Sequence, residues 1–208
     1  MSLKETSAQD DLAFMRALAE SAGGSGLPVV FGEGYFAAGL IYGVQTLTAF
    51  IQMAAHVPYF SSLSLVFGIA PTAIFIAVIA WIIWRHRGEG QGGVTARAMG
   101  ATFGCLGLAN FALICVIGSV AYKEHSLIIW WIYPCVVLVT QGAAWLVASS
   151  LRRRLWPAIV ALGWFAAAIA AALVIDQPMW FVLVLTLCLF GLMAVPGYVM
   201  MRQARNPA

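Results

Sequence analysis

Tyr35, Ala38, Tyr42, Gln45, Ala49, Gln52 and His56 follow one another at alternating steps of three and four, the spacing that gathers residues on one face of an α-helix, here within an arc of roughly 100°. Leu40, Val44, Leu47 and Ile51 take the opposite face and read as lipid-facing. The run holds no charge between Glu33 and Arg85, so its surroundings are apolar. An amide in hydrocarbon must find a partner or water, which turns Gln45 and Gln52 inward. Two chemistries are then open. The amides can hold helices together, at about 0.6 kcal/mol per interhelical bond, with Asn110, Thr140 and Gln141 as candidate partners. Alternatively, Tyr42, Gln45, Gln52, His56, Asn110 and Gln141 line a polar track that admits a neutral solute, an ion or water, as in a small channel or facilitator.

Other chemistry finds no residues to carry it. There is no H-E-x-x-H, no G-x-S-x-G and no paired intramembrane carboxylate, so no enzyme is expected. Glu33 and Asp176 fall at the ends of apolar runs, which disfavours a carboxylate-based proton or ion relay. His56 and His125 lie on the same side of the sequence-derived topology and could bracket a haem, but neither has ligand spacing, and a capping or exposed histidine is the simpler account. Cys105, Cys115, Cys135 and Cys188 fall inside apolar runs, without zinc spacing or a disulfide framework. Neither metal nor cofactor is expected.

The N-terminal segment carries a different signal. Ser7 with Asp10 fits a helix-capping pair, and Gly23, Gly24 and Gly26 close the run. Between them Leu12, Phe14, Met15, Leu18 and Ala19 fall within an arc of about 160°. Residues 1–26 hold Lys4 and Arg16 against Glu5, Asp10, Asp11 and Glu20, a net charge of −2. Interfacial helices usually present a Lys- or Arg-rich face to anionic lipid, so the stripe Leu12, Phe14, Met15 and Leu18 points to contact with protein. Two protein surfaces are candidates: the inner face of this bundle, or a cytosolic or membrane partner. The Gly-rich basic stretch 85–97 reads as a solvated linker, with contact to a phosphate or lipid headgroup as the sharper alternative.

These residues need a scaffold, and the composition names its class. Of 208 residues, 62% are hydrophobic and only 9% charged, too few charges to keep a soluble domain wet. No Asp, Glu, Lys or Arg occurs in 34–84, 98–122, 125–151, 155–175 or 177–201. A span needs ~20 apolar residues, so the last four runs hold one each. The first holds two, broken at His56 to Ser62 around Pro58. The expectation is an all-α integral membrane protein of six spans, near 30–55, 63–84, 98–121, 127–150, 156–175 and 179–201, within a membrane domain 27–201. A cytosolic segment 1–26, containing a short amphipathic helix, precedes this domain, and a cytosolic tail 202–208 follows it.

Lys and Arg distribute ten to one in favour of the side holding both termini, with only Lys123 opposite. That places both termini in the cytoplasm of a plasma or bacterial inner membrane, and it accounts for the net charge of +3 without nucleic acid. Gly100, Gly104, Gly107, Phe111 and Gly118 form a small-residue stripe, expected to pack within the chain, with association of like copies as the alternative. Pro71, Pro134 and Pro196 are positioned to kink their spans. The leading functional reading is a non-enzymatic membrane module that binds or regulates a partner through its N-terminal helix.

Overall fold

The computed structural model describes residues 12, 14, 15, 29–56, 62–87, 94–152 and 154–205. Among these there is no strand, and six helices are long and apolar enough to cross a membrane. The physical reason is general: in hydrocarbon a backbone N–H or C=O meets no water, so a spanning segment must close its own i→i−4 bonds. The helices are α1 (Val29–Ala54), α2 (Ser62–Arg85), α3 (Val94–Lys123), α4 (Leu127–Arg152), α5 (Leu155–Leu173), α6 (Pro178–Cys188) and α7 (Val195–Arg205). A π-helical segment, Leu189–Ala194, joins α6 to α7, and the three pieces make the sixth span.

Proline explains that interruption. Pro196 has no N–H to offer the Leu192 carbonyl, and in α geometry its ring would crowd the same turn. The chain just ahead widens, and the Val195 N–H bonds back to the Phe190 carbonyl, five residues earlier. The wider turn shifts the phase of the helix and brings Ala194 and Gly197 onto α1. Pro71 and Pro134, by contrast, lie inside helices that run on without interruption.

Helix α1 is the axis of one half of the molecule, packed against α2 on one side and against α6, the π segment and α7 on the other. The crossing of α1 with the sixth span is close because it is built on glycine. A Cβ on Gly39 would lie 2.8 Å from the Ala194 Cα, one on Gly197 would lie 2.5 Å from the Phe36 backbone nitrogen, and one on Gly43 would lie 2.9 Å from the Phe190 ring. At separations this short no side chain fits, and small residues are what let two helix backbones meet in a membrane. Gly32 faces Met201 in the same seam, so the Val29 and Arg205 ends share one side of the bundle.

The second half is the α4–α5 hairpin, with α3 packed mainly on α4, and α5 against α6. Ala161, Ala167, Ala168 and Ala171 are buried along α5, and Gly142 of α4 accepts the Phe165 ring, so the Ala-rich fifth span is a closely packed element. The core that joins the halves contains Tyr35, Met99, Leu138, Trp145, Trp164, Phe181 and Met200.

The glycine stripe of α3 behaves differently from the expectation. A Cβ at Gly100, Gly104 or Gly107 would meet nothing within 4 Å, Phe111 is exposed, and Gly118 alone nears a neighbour, Trp130. Among the described residues the stripe therefore does not pack within the chain: α3 turns its other side to α4 and leaves these glycines outward. Of the N-terminal segment, Leu12, Phe14 and Met15 are described, with helical backbone. Leu18 and the rest of the expected amphipathic helix lie outside the described residues.

Candidate functional site

Three helices meet at the Tyr35 hydroxyl. Trp145 of α4 donates its indole N–H to the Tyr35 Oη at 2.7 Å, and the Tyr35 hydroxyl donates to Gln141 Oε1 at 3.2 Å. Trp164 of α5 approaches the same hydroxyl without hydrogen-bonding geometry, and its Nε1 is buried with no partner. The ring of Tyr35 packs edge-on to Trp145 at 5.4 Å and to Phe103 of α3 at 6.1 Å, and is stacked with Phe31 at 5.7 Å. Trp156, at the start of α5, closes the cluster against Trp145. All of Tyr35, Gln141, Trp145 and Trp164 are buried.

Each helix contributes for a local reason. Tyr35 stands on the buried side of α1 with Ala38, the residue one turn on. Gln141 and Trp145 are four apart on α4 and so share one face. The hydroxyl serves as acceptor for one helix and donor to the same helix one turn away, which fixes α1 against α4 in rotation as well as distance. Unpaired polar atoms are expensive in this setting, so the node specifies one arrangement of the halves. Among the described residues no group of three His, Cys, Asp or Glu could hold a metal.

The six residues of the sequence-derived polar track are distributed along the bundle. Gln141 belongs to the Tyr35 node. Gln45 Nε2 reaches the Gly68 carbonyl of α2 at 3.3 Å, a partner not among those expected. Thr140 turns its hydroxyl to the Val137 carbonyl of its own helix. Tyr42 packs against Phe75 of α2, with ring centroids 5.4 Å apart. Gln52 is half-buried and His56 exposed near the far end of α1. Asn110 lies on α3, its Oδ1 buried without a partner. On the opposite face of α1, Leu40, Val44, Leu47 and Ile51 are all exposed, as the lipid-facing reading requires.

His56 and His125 are both exposed and adopt positive φ, 54° and 48°. They occupy the left-handed position just past a helix, commonly glycine's. After α3 the Ser126 N–H bonds to the Ala121 carbonyl and the His125 N–H to that of Tyr122, the paired bonds of a Schellman ending.

Two features lay beyond the sequence reading. In the sequence Tyr35 is one member of a helical stripe, and nothing local marks it as the centre of a node. The available signal was Trp145 and Trp164, the two tryptophans placed away from span ends, since a buried indole N–H seeks an acceptor. The other feature is Glu33, which lies in the second turn of α1 and meets His86 Nε2 at 3.2 Å, with side chains 16% and 9% exposed. That contact ties α1 to the end of α2. Compared with protein-family models, curated proteins and solved structures, the chain matches none.

Proposed function

We infer that this multi-pass membrane protein is a non-enzymatic module that engages a protein partner through the segment bearing Leu12, Phe14, Met15 and Leu18. The observation that carries this reading is exposure: Leu12, Phe14 and Met15 are 64%, 67% and 60% exposed, so these apolar side chains do not cover themselves on the bundle. The segment's net charge of −2 selects a partner with an apolar groove and a basic rim, the mode in which amphipathic helices dock. The excess of Lys and Arg on the side of both termini puts this segment in the cytoplasm, beneath a plasma or bacterial inner membrane.

The engagement of Gln45 and Gln141 in helix-to-helix hydrogen bonds favours this module over the facilitator. In a facilitator, those amides would face a passing solute.

A photo-crosslinking residue at position 14, activated in intact membranes, tests the reading. The expected result is a discrete protein adduct, lost in Leu12→Glu/Met15→Glu while membrane insertion persists. Adducts only to lipid, or only to this chain's own bundle, would refute it.

A further inference from the structure

Arg85 ends α2, the span that packs mainly against α1 alone. Its guanidinium carbon lies over the Trp81 ring, 5.3 Å from the centroid. Side chains on a helix lean toward its N-terminus, so this contact holds the charge about one turn deeper than the Arg85 backbone, at the level of Trp81. The arrangement is the reverse of snorkelling, in which the head of a long basic side chain reaches out to water. Trp81 and Trp84 are 53% and 65% exposed, and exposed indoles at the end of an apolar span mark headgroup depth.

A cation held at that depth needs an anion. Among the described residues the acidic side chains are Glu33, Glu124 and Asp176. Glu124 and Asp176 follow the C-terminal ends of α3 and α5, on the opposite side of the bundle. Glu33 is on the right side but is paired with His86. Arg85 therefore has no carboxylate partner among the described residues. The cation–π contact also leaves its N–H donors unspent, and a guanidinium presents them as a planar fork matched to phosphate.

We propose that Trp81 and Arg85 form a binding site for the phosphodiester of an anionic phospholipid, with Trp84 beside it at headgroup depth. The depth of the guanidinium decides for a lipid headgroup over a soluble anion, because the ligand must reach one turn below the end of the span.

The test is native mass spectrometry of the full chain, purified in detergent and equilibrated with equal amounts of phosphatidylglycerol and phosphatidylcholine. The wild type retains phosphatidylglycerol in preference. Arg85→Gln lowers that preference about fivefold, the scale of one basic residue at an anionic surface. Trp81→Leu lowers it in part. Arg85→Lys, which keeps the charge without the fork, falls between wild type and Arg85→Gln. Arg202→Gln, on α7, leaves it unchanged. Circular dichroism and gel-filtration elution matching wild type show each variant folded. An undiminished preference in Arg85→Gln overturns the proposal. So does an equal loss in Arg202→Gln, which would mean diffuse charge alone, or displacement of the lipid by millimolar inorganic phosphate.

Discussion

Replacing Tyr35 with Phe tests the central node, because the substitution removes one oxygen and little else. The ring contacts with Phe31, Phe103 and Trp145 remain, so no large cavity opens and the loss is confined to hydrogen bonding. Two bonds disappear: the one accepted from Trp145 at 2.7 Å and the one donated to Gln141 at 3.2 Å. Interhelical bonds in membranes average about 0.6 kcal/mol and reach about 1.7, so the pair contributes ~1–3 kcal/mol. The upper part of that range applies if the Trp145 N–H is left unpaired in the core, since an orphaned buried donor costs ~1–3 kcal/mol by itself. Unfolding in mixed micelles at rising dodecyl sulfate fraction, followed by circular dichroism, measures the difference. A double-mutant cycle with Trp145→Phe isolates the pair term, expected at about 0.5–1.5 kcal/mol. If Tyr35→Phe unfolds at the wild-type fraction and the two substitutions add without coupling, the hydroxyl does not tie the halves together and the reasoning fails.

Glycine gives a paired prediction. Gly39→Ala forces a Cβ to within 2.8 Å of the Ala194 Cα, and overpacking of this kind costs ~1–3 kcal/mol in the same unfolding assay. Gly104→Ala meets nothing within 4 Å and should be neutral or stabilise by up to about 1 kcal/mol through helix propensity. A clear loss at Gly104, with a change in gel-filtration elution, would mean that another helix covers the stripe. Glu33→Gln should release the end of α2 from α1, read as a broadened distance distribution between spin labels at positions 37 and 83. An unchanged distribution would assign that contact no positioning role. Gln45→Leu, which deletes the bond to Gly68 at 3.3 Å, should lower stability by about 0.6 kcal/mol, the average for an interhelical bond in a membrane.

The sequence alone determined that this is an all-helical membrane protein of six spans. Charge-free runs of sufficient length have one open-chain way to satisfy their backbone in hydrocarbon, and that constraint acts locally, without reference to neighbours. It also determined which side of α1 faces out of the bundle, because Leu40, Val44, Leu47 and Ile51 differ in kind from the face with Tyr35 and Gln45. Which inward groups meet was decided only by tertiary structure. Tyr35 and Trp145 are 110 residues apart in the chain, and no periodicity connects them. In water, burial of apolar area would have separated core from surface in the pattern itself. In lipid both are apolar, so a packed glycine such as Gly39 and an unpacked one such as Gly104 look alike until the helices are placed side by side.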